Sequence, residues 1–261
     1  MTIETFIEEL ADSNKQIKSA TLAQLSGLIS EDVNFLRSRW DEIESGRREE
    51  IITRAVELAE ENVEMDFHAL FIHCLYDPVA KIREKSIQGL WESDDRRNII
   101  PLTERLYKDD DPNVRAASAV ALGRFASLAQ ENKLMSRDSE RVKEALMSAL
   151  EDQDEDLIVR RRALESVAVS PEGEIRRWID WAYSSDDLGL RSSAVFAMGR
   201  TVDPTWLPVI LKEMDNQNPS IRYEAANAGG ELGEEDALPR LSQLVGDPDP
   251  HVQMAALNAI A

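Results

Sequence analysis

Apolar and small residues recur four positions apart along the chain, with polar residues between them. Val114, Ser118 and Leu122 show this spacing, and Arg115 follows the first of the three. Because an α-helix completes a turn every 3.6 residues, positions four apart lie on the same face. The pattern therefore predicts amphipathic helices with one buried stripe, rather than strands with alternating polarity.

The same helical segment is repeated along the chain. Each copy has an aliphatic residue, then Arg in most copies, then small residues three and six positions after it. The anchors of the copies are Arg83, Arg115, Arg160, Arg191, Arg222 and Gln253. Successive anchors are 32, 45, 31, 31 and 31 residues apart. A nearly constant period of this length indicates stacked structural repeats.

Each repeat is predicted to be a pair of helices. Pro101, Pro208 and Pro239 each lie 14 residues before an anchor, as expected for the first turn of a preceding helix. A turn rich in Asp, Asn and Pro, such as 109–113, follows and supplies an N-cap for the second helix. The glycine eight positions after the Arg, as in Gly123, is expected to let that helix end.

Residues 111–115, which read Asp-Pro-Asn-Val-Arg, and the Ala-rich run 119–123 resemble the HEAT family of helical repeats. The similarity is greatest with the short bacterial and archaeal subtype named after phycobilisome lyases. The resemblance is strong over 66–261 and faint in the degenerate repeats of 1–65. It implies an all-α fold, an α-solenoid forming a right-handed superhelix, and one domain over residues 1–261.

About eight antiparallel helical hairpins are expected. Their predicted starts lie near residues 2, 31, 66, 97, 138, 172, 204 and 236. The gap of 45 residues contains an insertion near 127–139, which we interpret as a lengthened loop on one edge of the array. The repeated arginines are expected to pair with turn carboxylates and so link neighbouring repeats. The expected partners are Asp77, Asp111, Asp187 or Asp215.

Charge and composition exclude several classes of function. Fifty acidic residues against 30 basic ones give a net charge of −20, which disfavours binding to nucleic acid or to anionic lipid. No apolar run is long enough to cross a bilayer, so we expect no membrane insertion. The start of the chain lacks a signal peptide, and Cys74 is the only cysteine. These features predict a cytoplasmic protein.

The chain shows no recognisable catalytic pattern. His68, His73 and His251 are its only histidines, and their spacing does not suit a metal site on one helix face. Deoxyhypusine hydroxylases share the HEAT architecture, and that resemblance implies paired His-Glu dipeptides for a di-iron site. The sequence contains no His-Glu dipeptide. We therefore expect no catalytic residue, no cofactor and no metal, in a protein that is not an enzyme.

The second helices are expected to expose a concave face that binds a protein or peptide. Its candidate partner-binding residues combine arginines with aromatic rings, which often carry interface energy. They are Arg161, Arg162, Phe196, Arg200 and Tyr223. The competing interpretation is that these arginines only neutralise nearby carboxylates. The predicted function is a non-enzymatic scaffold or adaptor. The alternative, implied by the subtype, is a phycobilin lyase subunit or a chromophore or assembly chaperone.

Overall fold

A computed structural model describes residues 3–169 and 174–261 of the chain. Its contacts divide the chain into two compact units, Met1–Arg124 and Phe125–Ala261. The described residues form 16 α-helices and no strands, which confirms the predicted all-α solenoid class. The expectation of one domain over 1–261 stays a prediction. Within the described residues, no helix combines the length and low polarity needed to cross a membrane.

The first unit contains the degenerate repeats and the first regular ones. Its helices are α1 (Ile3–Ala11), α2 (Ser19–Leu22), α3 (Ser30–Trp40), α4 (Ser45–Glu61), α5 (His68–Cys74), α6 (Ala80–Gln88) and α7 (Ile99–Lys108). Helix α8 (Pro112–Gln130) begins in this unit and ends in the second.

The second unit contains the most regular repeats. Its helices are α9 (Ser136–Glu151), α10 (Leu157–Val167), α11 (Glu174–Tyr183), α12 (Leu188–Arg200), α13 (Leu207–Glu213), α14 (Pro219–Leu232), α15 (Leu238–Leu244) and α16 (Pro250–Ile260). The 16 helices follow one another as eight consecutive pairs, which matches the predicted number of hairpins. The predicted starts at residues 2 and 172 lie outside the described residues.

The second helices begin at the predicted Asp and Asn caps. Side chains of Asp156, Asp187, Asn218 and Asp249 each accept a hydrogen bond from a backbone N–H in the first turn of α10, α12, α14 or α16. The predicted apolar stripe is buried as well, and Leu122 has no exposed surface. Cap and stripe together fix where each helix starts and which face it buries.

The repeat glycines have a different role from the one predicted. Gly199 and Gly230 lie inside α12 and α14, which continue past them, so neither residue ends its helix. A Cβ at Gly199 would lie 2.6 Å from the Cα of Ala228 on the neighbouring second helix, and a Cβ at Gly230 would lie 2.9 Å from the Cα of Ala259. Glycine at this position therefore permits close approach of the second helices of neighbouring repeats. The helix stop of α14 is Gly233, at a φ of 65°.

The insertion near 127–139 is also different from the prediction. Helix α8 runs to Gln130 and α9 begins at Ser136, so only 131–135 connect them. The extra residues have lengthened two helices instead of forming a long loop. Leu128, within the insertion's helical part, is largely buried, and this burial explains why the segment continues as helix.

Two of the repeated arginines link neighbouring repeats, as predicted, but through other carboxylates. Arg83 donates two hydrogen bonds to Asp109, at 2.7 and 2.6 Å, and Arg222 donates two to Asp247, at 2.7 and 2.8 Å. Each carboxylate lies in the turn of the following repeat, about 25 residues further along the chain. The predicted partners precede or begin the arginine's own helix, where its side chain reaches backbone carbonyls instead, as Arg83 reaches the carbonyl of Asp77 at 2.9 Å.

Candidate functional site

A surface cavity of about 300 Å³ lies between the first turns of α14 and α16, in the second unit. Its lining residues are Pro219, Ser220, Tyr223, Glu224, Asp249 and His251. It brings two carboxylates, a phenol ring and an imidazole to one opening. Tyr223 is a predicted partner-binding residue, and Glu224 lies beside it on the same helix.

Capping and ion pairing hold both walls of this cavity. Asp249 caps α16 by accepting a hydrogen bond from the N–H of His251 at 2.8 Å. The backbone N–H of Asp249 in turn donates to Asp247 at 2.8 Å. Since Asp247 is the bidentate partner of Arg222 on α14, the two helix starts are tied together. The cavity is therefore a pre-formed feature of the repeat interface.

The carboxyl group of Glu224 has a displaced pKa. Burial raises its pKa to about 7, and the negative charge of Glu165 adds to that increase. Arg162 acts in the opposite direction. At neutral pH this side chain is therefore divided between its protonated and ionised forms. A titratable group with a displaced pKa in a cavity is a recognised mark of functional sites.

The predicted partner-binding arginines belong to a polar network behind Glu224. Arg161 donates to Ser193 at 3.1 Å, and Ser193 donates to Glu165 at 2.5 Å. Arg162 donates to the other carboxylate oxygen of Glu165 at 2.6 Å. The network joins α10 to α12 and places a fully bonded carboxylate, Glu165, near Glu224.

The remaining predicted residues lie on the same helices. Arg200, on α12, donates to Ser127 at 3.2 Å and lies 3.6 Å from Glu231 of α14. Phe196 is half-buried, and Tyr223 is 38% exposed. The structure thus places all five candidates on α10, α12 and α14. Their role in binding a partner stays a prediction.

Sequence reasoning missed Asp249 and His251 as site residues. Both stand at the start of α16, and the sequence suggested only a turn and a polar helix position there. The available signal was the spacing: Asp249 lies 31 residues after Asn218, so the start of α16 repeats the start of α14. Stacked repeats place such equivalent turns side by side.

The residues that could hold a metal are dispersed. His68 makes a 2.8 Å hydrogen bond with Asn98, and His73 is half-buried, with its pKa lowered chiefly by burial. His251 lies at the cavity of the second unit. Within residues 3–169 and 174–261, no three His, Cys, Asp or Glu side chains are grouped so that they could hold a metal ion.

Two curated relatives are deoxyhypusine hydroxylases. The protein from Candida albicans is 22% identical over 200 residues, covering 69% of this chain and 63% of the relative. The protein from Drosophila melanogaster is 31% identical over 120 residues, covering 45% of this chain and 39% of the relative. The chain therefore spans less than two thirds of the length of these relatives.

The solved structure of a protein with the same name is also similar to this chain. Human deoxyhypusine hydroxylase, in complex with glycerol, matches with a TM-score of 0.41 and 16% identity, covering 99% of this chain and 94% of that one.

These relatives overturn three expectations. The predicted non-enzymatic scaffold or adaptor and the predicted absence of enzyme activity are wrong, because the curated relatives are named as enzymes. The alternative of a phycobilin lyase subunit or chromophore chaperone conflicts with the same names. The reason lies in the repeat pattern, which reports how helices pack. Enzymes and binding proteins built on one fold share that packing.

The match to a repeat family agrees with the repeats predicted from the sequence. The profile of HEAT repeats matches residues 69–168 and 175–261, close to the region predicted to hold the regular repeats. These two matches cover most of the chain. The chain belongs to the HEAT-repeat family.

Proposed function

We propose that this protein recognises an aliphatic amine side chain, of the lysine type, on a protein or peptide. The amine occupies the cavity between α14 and α16. The observation that most directly supports this proposal is that Glu224, Asp249 and Tyr223 line the same cavity. Two carboxylates attract an ammonium group, and an aromatic ring adds cation–π attraction.

The relatives support the chemical class of this ligand. Deoxyhypusine, the substrate in their name, is an amino acid with a long aliphatic amine side chain. A cavity of about 300 Å³ suits one such side chain. The net charge of −20 also favours the approach of a cation.

We assign no hydroxylation step to the chain. The resemblance to deoxyhypusine hydroxylases implies a di-iron site held by His-Glu dipeptides, and the sequence has none. The described residues also offer no group of three metal-ligating side chains. The residues present do not fit such a centre, so the proposal concerns recognition of the amine.

The other predicted binding residues extend the proposal to the rest of the peptide. Arg162 lowers the pKa of Glu224, and in this proposal one bound segment contacts both side chains. Phe196 and Arg200 would contact its neighbouring residues from α12. The absence of a nucleic-acid or membrane partner, the cytoplasmic location and the phycobilisome-lyase subtype of the repeats stay predictions.

Nα-acetyl-lysine methylamide is a suitable probe, with Nα-acetyl-norleucine methylamide as the control that lacks the amine. Titrations followed by ¹⁵N NMR should shift the amide signals of Tyr223 and His251 with the lysine probe alone. Because the pKa of Glu224 is raised to about 7, its ionised fraction grows between pH 6 and pH 8, and affinity for the amine should rise over the same range.

Glu224→Gln should weaken binding at pH 8 by roughly tenfold and flatten its pH dependence, as loss of a charged hydrogen-bond partner would. Glu235→Gln is the matched control, because Glu235 is an exposed carboxylate of the same unit outside the cavity. Equal binding of the lysine and norleucine probes, or equal losses in the two variants, would refute the proposal.

A further inference from the structure

The indole of Trp91 occupies an unusual position in the first unit. Trp91 lies eight residues after Arg83, the repeat position that is glycine in α12 and α14. There Gly199 and Gly230 pack closely against the next helix. Helix α6 instead ends at Gln88, and Trp91 lies in the following turn with 52% of its surface exposed. Burial of so large a ring is favourable, so an exposed indole suits a binding surface.

Trp91 borders a small groove between the ends of α4 and α6. The groove has a volume of about 50 Å³, and its lining includes Val56, Ala59, Glu60, Trp91 and Glu92. Val56 is largely buried and forms an apolar floor with Ala59.

The floor and the rim of this groove differ in chemistry. Glu60 and Glu92 are exposed, and neither lies within 4 Å of a cationic group among the described residues. Gly89 lets this end of α6 pack closely on the ring of Phe71, since a Cβ there would lie 2.5 Å from that ring. The indole and the two free carboxylates therefore border a fixed apolar groove.

We propose that this groove binds an arginine side chain from a partner polypeptide. The aliphatic stem lies on Val56 and Ala59, and the guanidinium stacks on Trp91 between Glu60 and Glu92. A planar guanidinium can stack on an indole and hydrogen-bond a carboxylate in its own plane at the same time. Charge complementarity favours this occupant, because both rim side chains are acidic and unpaired. The inference is independent of the amine cavity in the second unit.

The test uses the peptide acetyl-Gly-Leu-Arg-Leu-Gly-amide and its citrulline version, which has the same shape without the charge. The chain has five tryptophans, so an NMR spectrum shows their indole N–H signals separately, and the signal lost in Trp91→Phe belongs to Trp91. The arginine peptide should shift that signal, and the citrulline peptide should leave it unchanged.

Glu60→Gln should weaken binding of the arginine peptide about threefold, in line with the strength of exposed ion pairs. Glu61→Gln is the matched control, since Glu61 is the neighbouring exposed carboxylate of α4 and does not line the groove. Circular dichroism confirms that each variant is folded. An unmoved Trp91 signal, an equal response to citrulline, or equal losses from Glu60→Gln and Glu61→Gln would overturn the inference.

Discussion

Replacing Gly199 by alanine tests how closely the second helices must approach. In most helices this change stabilises the fold by up to about 1 kcal/mol, because alanine loses less conformational entropy than glycine. Here the added Cβ would lie 2.6 Å from the Cα of Ala228, whereas carbon atoms normally approach to about 3.5–4.0 Å. The obstacle is backbone, so α12 and α14 must separate by about 1 Å.

Such overpacking typically costs about 1–3 kcal/mol, so we expect Gly199→Ala to lower the free energy of unfolding by about 1–2 kcal/mol. Gly229→Ala is the comparator, because the one atom that its added Cβ would crowd is the flexible end of the Met214 side chain. Urea unfolding followed by circular dichroism at 222 nm measures both variants. If Gly199→Ala proved as stable as Gly229→Ala, the close helix contact would not constrain this position.

Three further predictions concern the core, an ion pair and the cavity. Leu122→Asp and Ala225→Trp should each lower the free energy of unfolding by several kcal/mol, because both positions are fully buried. Unchanged thermal or urea unfolding of either variant would contradict this assignment. Arg222 holds the pKa of Asp247 below its usual range, so this pair stabilises the fold above pH about 4 and loses that contribution as pH falls through the lowered pKa. Asp247→Asn should accordingly be less stable than wild type at pH 7, with the difference shrinking towards pH 2. Glu224→Gln should abolish a carboxyl titration near pH 7, visible by ¹³C NMR.

The repeat pattern predicted the hairpins well because its signal is local and is repeated many times. Arg115 and its equivalents mark the second helices, and the structure has a helix at each of them. The role of Gly199 was not predictable in the same way, because its nearest neighbour, Ala228, is 29 residues away. A glycine near the end of a predicted helix suggests that the helix ends there, unless a helix of the next repeat is known to pack against it.

The candidate site shows the same limit. Tyr223 was placed on an exposed face from helical periodicity, and its 38% exposure agrees with that placement. The cavity itself also needs Asp249 and His251, which belong to the next repeat. The pKa of Glu224 depends on burial and on Glu165 of α10, which is two repeats away. Sequence periodicity identifies faces, whereas cavities and pKa values depend on how repeats meet.

The arginine that joins two repeats also affects how the number of repeats in such a chain can change. Arg222 bonds the carbonyls of Asn216 and Gln217 in its own turn and the carboxylate of Asp247 in the next. Arg83 makes the equivalent set of bonds in the other unit. A module of 31 residues that is duplicated or excised brings equivalent turns and arginines together at the new junction, so these bonds can form there again. Steps of one period are thus the increments by which this array can change length while keeping the bonds between its repeats.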